Sequence, residues 1–217
     1  MLHIGVSPWR GSMLLPDVLP AFTKQYPNVQ VVLHEAPVPE LRKLAAGSVI
    51  DFCLMHIPSD LSDLTYELVM RERVFLIAHK EHPLVRGMAS TYHAPKPFPD
   101  LRLLEHERLI MLPPDWRISK LLHNIFSVHN VELQNTLITT NNNTAINLVT
   151  ENQGFAFLQE SGISRTPYLD RLYCYTIGDP PLTCPMAVVY KKNGFLSPAA
   201  RTFIDLIRSN YSRFDHT

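Results

Sequence analysis

The sequence predicts two α/β halves, each built on a parallel sheet, and three observations carry that prediction. Residues 2–55 alternate short apolar runs with amphipathic ones in β-α-β-α-β order, which calls for parallel strands joined by right-handed crossovers. A similar β-α set begins at residue 109, beyond a proline-rich stretch that ends at Pro99. Finally, Ser7-Pro8-Trp9-Arg10-Gly11-Ser12 and Pro114-Asp115-Trp116-Arg117-Ile118-Ser119 both contain Trp-Arg-x-Ser and hold both tryptophans of the chain. Four matching residues are as readily chance as kinship. Their matched setting, after an apolar run and before an amphipathic one, favours two related halves whose loops face each other. A loop that opens a helix is a natural place to hold a small polar ligand.

The elements follow in order. Residues 2–6 read as a buried strand, and Ser12 as the N-cap of a helix over 13–26. That helix places Leu14, Leu15, Val18, Leu19, Phe22 and Tyr26 on one side. Pro16 suits its first turn, whereas Pro20 should bend or locally break it. A strand follows over 29–33, rich in β-branched residues. Next come a short helix over 39–46, stopped by Gly47, and a strand over 51–55. Two further apolar runs occupy 66–69 and 74–78. The stretch from His79-Lys80-Glu81-His82-Pro83-Leu84 to Pro99 then reads as the passage into a second domain. Beyond it lie a strand over 109–112, a helix over 118–129 and a strand over 136–140. Asn143 or Thr144 caps a helix that runs to about Asn152, and Gly154 turns the chain into a strand over 155–158. Strands over 172–177 and 186–190 come next. Ser197 followed by Pro198 starts the last helix, with Phe203, Ile204 and Ile207 on its apolar side.

The totals exclude several function classes. A length of 217 residues suits one or two compact domains. Formal net charge is zero and no basic run occurs, which argues against the chain gripping nucleic acid by itself. Cys53, Cys174 and Cys184 are too few and too odd in number for a disulfide framework, so a reducing cytoplasm is expected. No apolar stretch is long enough to span a bilayer, so no membrane partner is expected. Because Met1 runs straight into a strand, no signal peptide is expected either. Eighteen prolines against eight glycines suggest firm turns and little flexible linker.

Several segments together resemble the effector-binding domain of LysR-type transcriptional regulators. They are Leu14-Leu15-Pro16 through Leu19-Pro20-Ala21-Phe22 and Tyr26-Pro27, the turn from Gly47 to Asp51, and His82-Pro83-Leu84. Leu148-Val149 followed by Gly154-Phe155-Ala156-Phe157-Leu158 continues the pattern, as does Leu196-Ser197-Pro198-Ala199-Ala200-Arg201 through Phe203-Ile204. The resemblance keeps the family's order over essentially the whole chain. It implies a type-2 periplasmic-binding-protein-like α/β fold: two α/β subdomains joined by two crossover strands, with a ligand cleft between. The second subdomain would be inserted into the first, giving 1–80 plus 184–217 and 81–183. The resemblance also implies a dimer or tetramer of identical chains. DNA would be bound only through an N-terminal winged helix-turn-helix to which nothing in this sequence corresponds, as in a trimmed sensing half. The matched Trp-Arg pairs depart from the family, whose corresponding loops vary.

The residues themselves point to binding rather than catalysis. There is no Gly-x-Ser-x-Gly elbow, P-loop or dinucleotide fingerprint, so no catalytic residue and no cofactor is expected. His79 and His82 have a spacing open to metal but no third ligand nearby, and read better as surface histidines; no metal is expected. Cys174 and Cys184 read as small packed residues. Loops at the C-terminal ends of parallel strands gather at a ligand site. Here these are the segments 7–12, 36–39, 56–58, 113–119 and 140–143. The candidate ligand contacts are Ser7, Trp9, Arg10, Gly11, Ser12, Pro37, His56, Pro113, Trp116, Arg117, Ser119, Thr140, Asn141 and Phe157. The serines, Thr140 and Asn141 offer hydroxyl or amide groups. Arg10 and Arg117 offer paired donors for a carboxylate, and the tryptophans offer flat walls. Helix N-termini add a preference for anions. Plain structural roles compete: Ser12 and Ser119 as helix caps, the arginines as rim residues or partners of an acid, residues 141–143 as a turn. The leading expectation is a ligand-sensing regulatory domain whose effector is a small anion, a carboxylate with an apolar or aromatic part. A solute-binding protein of a transporter and an enzyme on the same frame are the alternatives.

Overall fold

A computed structural model describes residues 1–57 and 62–214. The chain divides into two compact units, Met1–Glu72 with Pro185–Thr217, and Arg73–Cys184.

Unit 1 opens with β1 (Leu2–Val6), α1 (Pro8–Gln25), β2 (Val31–Glu35), α2 (Val38–Ala46), β3 (Phe52–His56) and the first part of β4 (Leu64–His79). β1 lies between β2 and β3, parallel to both, with Leu2 opposite Val31 and Ile4 opposite Phe52. Ile4, Val6, Phe52, Cys53 and Leu54 are all buried, as befits strands covered on both faces. Gly5 permits this closeness: a Cβ there would sit 2.9 Å from Cys53 Cβ and 3.0 Å from Leu41 Cδ2 of α2.

The expected helix over 13–26 is five residues longer at its start, because Ser7 is the N-cap and Pro8 takes the first helical position. It also runs through Pro20 without a break. Pro16 and Pro20 both lie on its exposed side, where water can serve the carbonyls they leave unbonded. Leu14, Val18 and Phe22 face inward, and Phe22 meets Phe203 edge to face at 5.0 Å. In α2 the helix does stop at Gly47, but Ser48 takes the left-handed backbone, with φ of 57°.

Unit 2 takes the rest of β4, then β5 (Lys96–Pro97), β6 (Arg108–Met111), α3 (Arg117–Val128), β7 (Asn135–Ile138), α4 (Asn142–Thr150), β8 (Phe155–Gln159), α5 (Glu160–Ile163) and β9 (Leu172–Thr176). β6 stands between β7 and β8, parallel to both, while β8 and β9 flank β4 antiparallel. The two apolar runs at 66–69 and 74–78 are one strand of 16 residues. One face of this sheet packs Leu76, Leu109, Phe155 and Phe157 against Ile118, Leu122 and Phe126. The other packs Phe75, Ile77, Ile110 and Leu158 against Ile146 and Val149. Gly154 enters β8 at φ of 136°, and a Cβ there would lie 2.3 Å from Arg108 O, so no other residue fits.

The chain returns through β10 (Thr183–Lys191), antiparallel to β3, and ends with α6 (Pro198–Tyr211). Ser197 caps α6 as the sequence predicts, accepting from Ala200 N at 3.2 Å. Tyr211 Oη donates to Asp17 Oδ2 at 2.6 Å and so ties α6 to α1. Glu67 accepts from Tyr190 Oη at 2.8 Å, from Arg208 at 2.7 Å and from Arg201. Burial pushes the Glu67 carboxyl up, but these donors outweigh it and hold the carboxyl down at about 2. Its contribution to stability is therefore present above the ordinary carboxylate range and fades as pH falls towards 2.

Candidate functional site

Unit 1 gathers its candidates where β1, β2 and β3 end. Ser7 caps α1 through its backbone, Gly11 N donating to Ser7 O at 2.8 Å. The Ser7 hydroxyl makes no hydrogen bond among the described residues. The segment 7–12 is not a loop: Trp9, Arg10, Gly11 and Ser12 are the second to fifth residues of α1. Ser12 is accordingly not the cap, and its hydroxyl donates back to Trp9 O at 2.8 Å.

Arg10 is buried and ion-paired with Glu72 of β4, itself fully buried, and its guanidinium carbon lies 5.7 Å from the Trp9 ring centre. Gly11 packs tightly, since a Cβ there would meet Glu35 Oε1 at 3.0 Å. Pro37 is the exposed N-cap of α2. His56, half-buried at the end of β3, has Nδ1 3.2 Å from Pro185 O. Pro58, the end of the segment 56–58, lies outside the described residues.

Unit 2 gathers its candidates at the C-terminal ends of β6, β7 and β8. Pro113 is half-buried just past β6. Trp116, 38% exposed, is the N-cap of α3, and Arg117 is its exposed first residue, with no partner among the described residues. Ser119 is again inside the helix rather than its cap. It is 5% exposed, and its hydroxyl donates to Leu112 O at 2.9 Å, closing the turn between β6 and α3. Thr140 is exposed. The cap of α4 is Asn141, not Asn143 or Thr144: its Oδ1 accepts from the backbone N–H of those two residues at 2.9 and 3.3 Å. Phe157 is 3% exposed and packs edge to face on Phe126 at 5.7 Å, within the core of the unit.

Some groups at these strand ends were not singled out from the sequence. Arg71-Glu72-Arg73 is a charged run between the apolar parts of β4, a signal that was present. Arg73 donates twice to Glu160, at 2.6 and 3.0 Å. Asn142 and Gln159, each 4% exposed, have side-chain oxygens without a hydrogen-bond partner, and so does the Nε1 of Trp9.

The remaining polar candidates are structural. His82 packs edge to face on Phe155 at 4.6 Å rather than standing on the surface, and burial lowers its pKa. Cys174 is buried, which raises its thiol to about 12 and removes its nucleophilic form near neutrality. Among the described residues no group of three His, Cys, Asp or Glu side chains is placed to hold a metal ion.

Residues 1–212 match the family described as the LysR substrate binding domain. An uncharacterized HTH-type transcriptional regulator of Bacillus subtilis (strain 168), YvbU, is 23% identical over 216 residues. The match covers 95% of this chain and 66% of that relative, so the chain spans just under two thirds of the relative's length. The BenM effector binding domain with its effector benzoate superposes with a TM-score of 0.78 at 21% identity, over 98% of this chain and 92% of that one. The Synechocystis PCC6803 CcmR regulatory domain in complex with 2-PG gives 0.78 at 20% identity, over 96% of each chain. The fold is thus the type-2 periplasmic-binding-protein-like fold of such domains.

Proposed function

The chain belongs to the family of LysR substrate binding domains, and from that premise we propose that it is the ligand-sensing part of a LysR-type transcriptional regulator. The single observation that carries the reading is the family match over residues 1–212. In this reading the domain is not an enzyme. It binds a small effector and passes the change in its conformational equilibrium to an N-terminal winged helix-turn-helix, through which a longer protein binds DNA in the cytoplasm. Names of relatives support it: YvbU is an HTH-type transcriptional regulator. Among the described residues no helix is long and apolar enough to cross a membrane. The subdomain limits 1–80 plus 184–217 and 81–183 remain part of the proposal.

The effector is a carboxylate or similar small anion. Arg117 supports this, being exposed at the start of a 12-residue helix with its charge unengaged among the described residues. The hydroxyls of Ser7 and Thr140 suit the same ligand. The neighbours named above bind benzoate and 2-PG. A thermal-shift screen of small carboxylates tests the class, because any ligand that prefers the native state raises the melting temperature. A tight cationic effector overturns it.

The domain assembles at least as a dimer. Each unit has a parallel strand at its sheet edge with exposed apolar side chains, Leu33 on β2 at 40% and Ile138 on β7 at 61%, and Val128 at the end of α3 is 78% exposed. Edges of this kind call for cover. A single-chain mass by sedimentation equilibrium at micromolar concentration overturns this part.

A further inference from the structure

In unit 2 the chain leaves β4 through a turn that is built like the start of a helix, and its cap is a histidine. His82 O accepts from Val85 N and Arg86 N, both at 3.0 Å. Pro83 takes the first position, where an N–H would have had no partner in the turn. The N–H of the next residue, Leu84, is donated to Nδ1 of the His82 ring at 3.3 Å. His82 thus does with an imidazole nitrogen what Ser or Asn does with an oxygen at a helix start. Just before it, His79 Nδ1 accepts from Glu81 N at 3.2 Å, so two imidazole acceptors hold one turn. The turn anchors the unit, because Val85 is fully buried in the same cluster as Leu109 and Phe155, and Leu84 packs against that cluster.

An imidazole differs from the usual caps in one respect. It accepts only while Nδ1 carries no proton; in the charged ring both nitrogens are donors, and an N–H would face the Leu84 N–H. The bond from Leu84 therefore requires the neutral ring with its hydrogen on Nε2, which lies 3.5 Å from Glu107 Oε2. The surroundings favour that neutral form. The ring packs on Phe155 of β8, its side chain is 14% exposed, and burial, the largest influence, disfavours the charge. Glu107, ahead of β6, favours the charged ring, and His79, at the end of β4, opposes it. Together they hold His82 below the ordinary histidine range. The stabilisation from the cap is then present in full above that range and is lost as pH falls through the lowered value.

We propose that the turn over residues 82–86 is a proton-operated latch: with the His82 ring neutral the turn is capped and Val85 stays seated in the core, and protonation of the ring uncaps it and loosens this end of unit 2. The latch is independent of what the effector is.

The test is amide hydrogen exchange by NMR on the whole chain, from about pH 8 to about pH 5, with the His82 ring titration followed in the same samples. After correction for the intrinsic effect of pH on exchange, protection of the Leu84 amide is expected to fall by about tenfold, the equivalent of one hydrogen bond. The midpoint of that fall should coincide with the titration of the ring. His82→Asn supplies an amide oxygen that accepts at any pH, so Leu84 protection in this variant should stay level across the range. Glu107→Gln removes the anion that favours the charged ring, and should move the midpoint to lower pH. It decides alone if His82→Asn does not fold. Protection of Leu84 that stays constant while the ring titrates overturns the inference. So does the same fall in His82→Asn, or a midpoint in Glu107→Gln that stays in place or rises.

Discussion

The two Trp-Arg-x-Ser segments share their residues and little else. In unit 1 the tetrapeptide occupies the second to fifth positions of α1; in unit 2 it runs from the N-cap to the third position of α3. This shift of two residues changes every side chain. Arg10 turns into the protein and pairs with Glu72, whereas Arg117 stands in solvent. Ser12 is exposed and bonds within its own helix, whereas Ser119 is buried and bonds across to Leu112 O. The cause is the residue before each tryptophan. Pro8 fixes φ at a helical value and lacks an N–H, so it starts α1 before Trp9. No proline directly precedes Trp116, and α3 starts one residue after it. A shared motif therefore specifies a setting, and the helix start decides what each residue does there.

The largest expected difference is in stability. Arg10→Ala breaks the buried ion pair with Glu72, a change of the kind that costs roughly 3–5 kcal/mol. Arg117→Ala, at an exposed helix start, should stay within about 0.5 kcal/mol of the unaltered chain. Urea denaturation of both variants measures this, and equal midpoints would abolish the contrast. A double change, Arg10→Met with Glu72→Leu, should recover most of the loss, because apolar residues of similar size often replace a buried pair at little cost.

Ligand affinity should reverse the order. Arg117→Ala is expected to weaken carboxylate binding by about 1.5–3 kcal/mol, the worth of a charge-assisted hydrogen bond. Arg10 already serves Glu72, so a variant that folds, such as Arg10→Met with Glu72→Leu, should bind within about tenfold of the unaltered chain. Calorimetry with whichever carboxylate raises the melting temperature decides it. If the Arg117 variant binds normally and the double variant does not, the two arginines have been assigned the wrong way round.

The serines follow with a smaller effect. Ser119→Ala removes a buried hydrogen bond and leaves Leu112 O short of a donor, for a loss of about 1 kcal/mol. Ser12→Ala removes an exposed bond to its own helix and should cost less than about 0.5 kcal/mol. Thermal unfolding of the two variants side by side is sufficient, and a larger loss at Ser12 would contradict the geometry.

The same contrast explains what could be read in advance. Periodicity located the apolar face of α1 through Leu14, Val18 and Phe22, and Ser197 before Pro198 placed the start of α6, because both signals are local. The start of α1 was misplaced because Ser12 looks like a cap, while the cap in use, Ser7, acts through its backbone alone; the start of α3 was placed within one residue, though its cap is Trp116 and not Ser119. β4 was split because Arg71, Glu72 and Arg73 interrupt its apolar run. Two of them, Glu72 and Arg73, are neutralised by Arg10 and Glu160, 62 and 87 residues away in sequence. Asn142 and Gln159 gave no sign at all, since polar residues are read as exposed until a structure buries them.

The smallest effect is one of emission rather than of free energy, and it tests the comparison at the tryptophans themselves. Trp9 is half-buried, with its Nε1 out of reach of solvent, while Trp116 is 38% exposed at the start of its helix. With only these two indoles in the chain, Trp9→Phe reports Trp116 alone and Trp116→Phe reports Trp9 alone. Emission from Trp116 should lie further to the red, and acrylamide should quench it more strongly. A ligand that touches the start of α1 or of α3 should then change the emission of the indole there, and each variant should keep its own part of the response. Equal emission and quenching in the two variants would mean that the two segments stand in the same surroundings after all. A ligand that raises the melting temperature but leaves both spectra unchanged would place its contacts away from both tryptophans, and Trp9 and Trp116 would then be packing residues only.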